Sequence, residues 1–302
     1  MVRIMNNIEI INDTLQRIKE NKYLCALTET AIQNTGIIRE GFVSQSQPYY
    51  ADSHINFEEN LTLIAAYRFA DSKMKTAVLN FANPLEPGGG VLRGASAQEE
   101  YLCRASNLYP CLTSEQARQY YDVHKEIRRS NQFNSMFLGT DMVIYSPDVT
   151  FFRVDHNYIP DAECQPTQDY CDHWRTIDVI TCAAPFFSGS GYILPDGDLC
   201  HLFCRRIKNI LEAAIEHNVQ ALILGAFGCG AFHNLPTVVA RAFQTVLMEE
   251  RYLHAFKNVV FAVKRSNWFC ENIEAFDIAF QRFPANGEYV FCSESNKRRF
   301  FE

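Results

Sequence analysis

The chain has 302 residues, of which 47% are hydrophobic and 21% charged. This length, with 13% aromatic residues, predicts one large or two ordinary folded domains and excludes disorder of the bulk. The formal charge of −7 makes duplex nucleic acid a poor partner, and no apolar run approaches the ~20 residues that span a membrane.

The eleven cysteines are scattered and contain no C-x-x-C pair, so they favour reduced thiols over a disulfide or zinc framework. Cys200, His201 and Cys204 lie close together, but in a helix-like stretch we interpret them as half-buried positions rather than metal ligands. The N-terminus lacks the apolar core of a signal peptide. We therefore expect a reducing, cytoplasmic location, with delivery into a host cell without an N-terminal signal as the alternative, and no metal or other cofactor.

The first elements in chain order are helical patterns. Ile8, Ile11, Leu15 and Ile18 recur at a spacing of three or four residues, with polar residues between them. A second such pattern covers Asn56–Phe69. Together they predict an N-terminal helical extension over residues 1–70.

Short apolar runs typical of buried strands alternate with further helical patterns beyond this extension. The predicted strands are Ala77–Phe81, Met142–Tyr145, Val179–Cys182, Ala221–Leu224 and Val259–Val263. The predicted helices are Leu199–His217, Pro236–Glu249 and Ile273–Phe283, and residues 153–174 predict a long surface loop. This order predicts an α/β core over residues 71–302, with a mixed sheet sandwiched by helices, in one compact domain.

A triple-glycine loop follows the first predicted strand. Gly88, Gly89 and Gly90 lie between this strand and an apparent helix that begins near Gln98. Glycines allow positive φ and a close approach of the backbone, so their N–H groups and the helix N-terminus can bind an anion. The loop alone is a weak indication of a diphosphate site, because glycine-rich turns are common.

Glu99 and Glu100 open the predicted helix, and two interpretations of them stay open at this point. Ser96 and Glu99 have the spacing of a capping box, and the helix dipole favours acidic residues in a first turn. Glu100 lies one position beyond that box and cannot share its bond. A carboxylate beside an anion site repels the ligand unless the chemistry uses it.

A second glycine loop, residues 225–232, directly follows another apolar strand. Two such loops at strand carboxyl ends predict a crevice in which a two-phosphate ligand could lie. Phe227 and Phe232 would either line this crevice or belong to the core at a tight turn. Cys229 has no His or acidic residue at a spacing that indicates a catalytic partner, so we do not favour covalent cysteine catalysis.

These residues resemble those of the poly(ADP-ribose) glycohydrolases, and in particular their microbial-type branch. The triple glycine followed by Gln98-Glu99-Glu100 is the most specific part, in the segment GGGVLRGASAQEE. Further blocks resemble that branch in the same order: VLNFANPLEPGGG, QEEYLCRASNLYP, VIYSPDVTFFR, ITCAAP and LGAFGCGAFHN. The resemblance implies a macrodomain-like fold.

The resemblance also implies roles for individual residues. Glu100 corresponds to the catalytic acid/base and Glu99 to the residue that holds the ribose. The remaining implied substrate-binding positions are Asn83, Gly88, Gly89, Gly90, Gln98, Phe227, Gly228, Cys229, Gly230, Ala231 and Phe232. Tyr145, Ser146, Pro147 and Val149 correspond to a stretch that helps to form the adenosine side.

The function implied by this resemblance is removal of ADP-ribose from modified proteins or from poly(ADP-ribose). Such chemistry passes through an oxocarbenium-like state and needs one carboxyl group as acid and base, without a metal. A reader that binds ADP-ribose without cleaving it is the alternative, and a metal-dependent phosphate hydrolase is disfavoured by the lack of an Asp/His cluster. Polymer and single protein-linked ADP-ribose, for example on arginine, are not separable from the sequence. We expect a monomer whose partner is the ADP-ribose moiety.

Overall fold

A computed structural model describes residues 5–130, 136–153, 174–187, 194–264 and 270–281. Its central sheet contains seven strands: β1 (Gly36–Ile38), β2 (His54–Glu58), β3 (Thr76–Phe81), β5 (Val143–Phe151), β6 (Arg175–Cys182), β8 (Ala221–Leu224) and β9 (Asn258–Ala262). Two further short strands, β4 (Met136–Phe137) and β7 (Phe186–Phe187), pair with each other in an antiparallel hydrogen-bonded ribbon. In these ranges no helix is long and apolar enough to cross a membrane.

The sheet has the strand order β1-β5-β6-β3-β8-β9-β2. The five strands from β6 to β2 are mutually parallel, whereas β5 pairs antiparallel with both β6 and β1. The carboxyl ends of β3 and β8 therefore lie side by side at one edge of the sheet. Parallel sheets bind ligands at this edge.

Helices cover both faces of the sheet. Their bounds are α1 (Asn7–Glu20), α2 (Lys22–Asn34), α3 (Thr62–Asp71), α4 (Gln98–Ala105), α5 (Leu108–Leu112), α6 (Glu115–Ser130), α7 (Asp196–Glu216), α8 (Pro236–Gln244) and α9 (Cys270–Gln281). Alternate strand residues enter different cores: Ala77 and Leu79 pack with the α7–α9 side, and Val78 packs with the α3–α6 side. The predicted mixed α/β fold is confirmed.

The first 70 residues contribute strands that the sequence analysis did not predict. β1 and β2 form the two edges of the central sheet. The predicted helix Asn56–Phe69 is wrong at its start, because His54–Glu58 pairs in parallel with β9 and the helix begins at Thr62. Phe57 stacks on Phe261 of β9 at 5.2 Å, so tertiary pairing outweighs the local helical spacing. The predicted boundary at residue 70 lies inside α3, between the strands β2 and β3 of one sheet.

The other predicted helices and strands overlap the observed ones, although β5 and β6 are longer than predicted. β5 runs six residues beyond its predicted end and contains an irregularity between Ser146 and Val149, where Asp148 has a φ of +54°. Helix α8 ends at Gln244 and continues as a π-helical turn through Glu249. Most of the predicted loop 153–174 and the tail beyond Gln281 lie outside the described residues.

Candidate active site

The two glycine loops both begin where a strand ends. β3 ends at Phe81 and leads into the first loop, and β8 ends at Leu224 and leads into the second. Because β3 and β8 are paired in parallel, the loops lie next to each other at the same edge of the sheet. The rings of Phe81 and Phe227, one from each side, lie 5.8 Å apart.

Gln98 fixes the start of α4 against the end of β3. Its Oε1 accepts the Phe81 N–H at 2.9 Å, and its Nε2 donates to the Leu79 carbonyl at 2.8 Å. The side chain thereby completes the hydrogen bonding on the side of β3 toward β8, where the ladder ends at Val78. Gln98 positions both glutamates that follow it.

The predicted capping box between Ser96 and Glu99 does not form. Helix α4 begins at Gln98, and its N-cap Ala97 makes no side-chain capping bond. Ser96 is exposed, and the Glu99 carboxylate instead turns inward, where the Asn83 N–H donates to its Oε2 at 2.7 Å. The backbone just after β3 therefore binds the Glu99 carboxylate, which a capping box would have used as its acceptor.

Glu99 is buried and has hydrogen-bond donors at both oxygens. Besides the Asn83 N–H, the Asn80 Nδ2 donates to its Oε1 at 3.5 Å. Burial raises the pKa of Glu99 well above its usual range, the Asn83 N–H opposes this shift, and the nearby Glu100 adds to it. Asn80 is itself fully buried and was not among the predicted site residues.

Glu100 differs from Glu99 because only one of its oxygens has a partner. Its Oε1 accepts the Gly90 N–H at 2.8 Å, whereas Oε2 has no hydrogen-bond partner among the described residues. The residue is 7% exposed. A buried polar atom without a hydrogen-bond partner calls for a functional explanation.

The first glycine loop is shaped by the two carboxylates. Gly88 and Gly89 have φ values of +68° and +59°. A Cβ on Gly89 would lie 2.5 Å from Oε1 of Glu100 and 2.9 Å from Oε2 of Glu99. A side chain at this position would occupy the space of the carboxylates, which explains why a glycine is required there.

The side chain of Asn83 binds the backbone of its own loop. Its Oδ1 accepts the N–H groups of Leu85 at 2.8 Å and Glu86 at 3.0 Å, which forms a local turn. Its backbone N–H binds Glu99. The structure therefore places Asn83 as a support of the carboxylates.

A cavity of about 360 Å³ lies between the second glycine loop, the end of β3 and the starts of α3 and α4. The residues that line it do not include Asn83, Gly88, Gly89, Gly90, Glu99, Glu100 or Cys229. Six of the predicted residues line it: Gln98, Phe227, Gly228, Gly230, Ala231 and Phe232. Sequence reasoning missed several others, among them Asn60, Thr62, Tyr101, Lys264 and Asn272. Lys264 follows the end of the parallel strand β9, so its place at the carboxyl edge could have indicated it.

The second loop combines structural and cavity-facing residues. Phe227 is fully buried and packs on Phe203, whereas Phe232 is partly exposed and packs edge-on against Phe186 at 5.2 Å. Phe227 therefore belongs both to the core and to the cavity wall, and Phe232 lines the cavity. Cys229 is buried, and burial raises the pKa of its thiol, which makes it a poor nucleophile.

The stretch expected on the adenosine side lies elsewhere. Tyr145 is buried in β5, where its hydroxyl donates to Asp178 near the start of β6, and Ser146 and Val149 are also fully buried. The start of β6 is the sheet edge opposite to the loops. None of the four residues lines the cavity, so the adenosine-side role of Tyr145, Ser146, Pro147 and Val149 stays a prediction.

Cys200 and Cys204 lie on α7, with Cys204 buried in the core beside α8. A hydrogen bond with Cys204 lowers the pKa of the Cys200 thiol to about 7. Across the described ranges, no group of three or more His, Cys, Asp or Glu side chains is arranged to hold a metal ion.

Comparisons with known proteins agree with this geometry. The family model of the microbial-type PARG (poly(ADP-ribose) glycohydrolase) catalytic domain matches residues 3–154. The crystal structure of the poly(ADP-ribose) glycohydrolase from Thermomonospora curvata, bound to the inhibitor ADP-HPD, is 28% identical with a TM-score of 0.75. That match covers 91% of this chain and 99% of the other.

A second similar structure is the poly(ADP-ribose) glycohydrolase from Deinococcus radiodurans in complex with ADP-ribose. It is 28% identical with a TM-score of 0.66, and the match covers 84% of this chain and 97% of that one. No curated protein matches the chain significantly. The predicted resemblance and macrodomain-like fold are confirmed, and the chain belongs to the microbial-type poly(ADP-ribose) glycohydrolase family and is a glycohydrolase.

Proposed function

We propose that this chain binds a terminal ADP-ribose in the cavity and hydrolyses its ribose C1″ bond, with Glu100 as the acid/base. The observation that carries this proposal is the asymmetry of the two glutamates. Glu99 has donors at both oxygens, whereas Glu100 is fixed through Oε1 by Gly90 and keeps Oε2 without a partner among the described residues.

The reaction follows from this arrangement. The proton of Glu100 passes to the leaving oxygen as the bond from that oxygen to C1″ breaks, which gives an oxocarbenium-like state. Glu100 then accepts a proton from a water molecule whose oxygen bonds to C1″. The products are free ADP-ribose and the restored hydroxyl or amino-acid side chain, and Glu100 regains its proton.

The remaining groups position the substrate. Glu99 is held by the loop that carries the glycines, which fixes its carboxyl group for contact with the ribose. The second loop contributes Gly228, Gly230 and Ala231 to the cavity wall, with backbone N–H groups suited to a diphosphate. The relatives bound to ADP-ribose and to ADP-HPD support this choice of ligand.

A reader of ADP-ribose without activity is the competing function. A pure binder gains nothing from a second carboxylate with an unused oxygen next to an anionic ligand, because the charge repels the phosphates. Glu100 therefore favours the enzyme. In either case the ADP-ribose moiety is the expected partner.

The test is the substitution Glu100→Gln, which keeps the shape of the side chain and removes its acidic proton. Turnover of ADP-ribosylated protein should fall by at least ~10²-fold. Affinity for free ADP-ribose, measured by calorimetry in EDTA, should hold or rise because a negative charge is lost. Glu115→Gln on the exposed face of α6 serves as the matched control, with unchanged turnover.

Glu99→Gln should lower turnover and also change affinity, since its carboxylate supports the loop. Near wild-type cleavage by Glu100→Gln would contradict the acid/base assignment. Tight ADP-ribose binding by the wild type without hydrolysis of any linkage would instead establish the reader.

A further inference from the structure

A second groove, of about 680 Å³, borders the first glycine loop outside the cavity. Its walls come from the turn after the glycines, the segment before α4 and the start of α1. Lys264 lines both the groove and the cavity, and the consecutive residues Ser96 and Ala97 line one each. The groove therefore adjoins the ADP-ribose cavity.

The groove also lies next to the proposed acid/base. Gly90, whose N–H holds Glu100, begins the 3₁₀ turn Val91–Arg93. A Cβ on Gly90 would lie 3.6 Å from Oε1 of Glu100 and 3.8 Å from Nη2 of Arg93. The guanidinium of Arg93 and the carboxylate of Glu100 thus lie close to the same residue.

Two of the side chains that line this groove are cationic. Arg93 and Lys264 are both exposed. Arg93 pairs with Glu86 at 2.5 Å, and with side-chain exposures of 68% and 49% this ion pair contributes little. A ligand phosphate can replace the Glu86 carboxylate at the guanidinium.

We propose that this groove is a leaving-group subsite that binds the diphosphate of the next ADP-ribose unit of a polymer, through Arg93 and Lys264. The proposal rests on the proposed function. When ADP-ribose fills the cavity and its C1″ lies at Glu100, the group released must lie outside the cavity. In a polymer that group is a second ADP-ribose, linked through its ribose hydroxyl and carrying two phosphates.

The charge of the groove discriminates between leaving groups. A diphosphate is attracted by Arg93 and Lys264, whereas an arginine side chain that accepts ADP-ribose carries a cationic guanidinium and is repelled. Ile8, which is 44% exposed, adds apolar surface to the same groove for a base or ribose. The groove therefore favours polymer over arginine-linked mono-ADP-ribose.

The experiment compares kcat/KM on two substrates: poly(ADP-ribose) of defined length and a protein that carries a single arginine-linked ADP-ribose. The ratio of polymer to mono-substrate should fall about fivefold in Arg93→Gln and in Lys264→Gln, and further in the double variant. Arg93→Lys should restore part of the ratio. Arg118→Gln, which removes an exposed cation from α6, is the control and should leave the ratio unchanged.

The possible results distinguish failure of the subsite from failure of the proposed function. A wild-type ratio that falls with added salt, together with the losses above, supports the subsite. Equal losses on both substrates, unchanged ratios, or a wild type that cleaves only the mono-substrate would overturn it while leaving the proposed function intact. A wild type that cleaves neither substrate would overturn the proposed function first.

Discussion

The two glycine loops occupy equivalent places at the ends of β3 and β8, but they are held by different chemistry. In the first loop, carboxylates of Glu99 and Glu100 accept the N–H groups of Asn83 and Gly90. In the second loop, the side-chain amide of Asn234 donates to the carbonyls of Pro185 at 2.8 Å and Gly228 at 3.0 Å. The first loop is held by carboxyl groups, which titrate, and the second is held by an amide, which does not.

Their glycines also differ. A Cβ on Gly89 would meet both carboxylates, whereas a Cβ on Gly230 would find no atom within 4 Å. Gly230 lines the cavity, so the space beside it is open to a ligand. Similar glycine-rich sequences therefore leave room for the two carboxylates in the first loop and for open cavity space in the second.

The largest expected effect comes from Gly89→Ala. The new Cβ would displace the ends of the two glutamate side chains, which can move without unfolding the protein. Because misplacing a catalytic group by an ångström costs about 10²-fold, we expect kcat to fall by at least about that factor. Turnover and thermal unfolding should be measured on the same preparation.

Gly41→Ala is the matched control for this change. Gly41 also has a positive φ, +71°, but a Cβ there would meet nothing within 4 Å. It therefore reports the cost of the left-handed backbone alone, about 1–2 kcal/mol. If Gly89→Ala lost no more activity than Gly41→Ala, the loop would not position the carboxylates.

A smaller effect is expected from Gly230→Leu in the second loop. The side chain would project into open space within the cavity wall, so the melting temperature should change little. The Kd for ADP-ribose should rise about tenfold or more, since the leucine would occupy the volume of the ligand. Calorimetry beside thermal unfolding measures both quantities.

Substitutions at two other glycines serve as controls for this result. Gly197→Leu, in the first turn of α7 and with nothing within 4 Å of its Cβ, should leave the affinity unchanged. Gly228→Ala would place a Cβ 2.4 Å from Ala184 and 2.7 Å from Asn234, so it should destabilise the loop itself. A Gly230→Leu variant that unfolds like Gly228→Ala would contradict an open, ligand-facing Gly230.

The sequence was sufficient for the elements that are buried on both faces. Continuous apolar runs predicted β3, β8 and β9 to within about a residue, since such strands need no information from their neighbours. The edge strands β1 and β2 were missed because they are short and only partly buried, and their pairing with β5 and β9 is not visible locally. Whether such strands form depends on pairing with segments that are distant in sequence.

The site was predictable where a motif carries a backbone requirement. Three glycines followed by two glutamates indicated the loop and the carboxylates. The bond from Asn80 to Glu99 and the bond from the Phe81 N–H to Gln98 depend on the register of β3. The motif could not show which glutamate keeps an unused oxygen. Nor could it show that the Tyr145 hydroxyl binds Asp178, since a matched stretch does not fix where each side chain points.

The smallest expected effect separates the two loops by pH. Because the pKa of Glu99 is raised by burial, the folded protein binds more protons than the unfolded chain above about pH 4.3, the ordinary glutamate value. The free energy of unfolding contributed by Glu99 therefore falls as pH rises through the folded pKa, with a slope of at most about 1.4 kcal/mol per pH unit. Glu99→Gln should remove this slope, as urea unfolding at a series of pH values would measure, whereas the exposed Glu126→Gln should keep it.

Asn234→Ala should lower the free energy of unfolding by about 1–3 kcal/mol at every pH, because its lost partners do not titrate. Parallel curves for Glu99→Gln and wild type would show that the first loop is no more dependent on titration than the second.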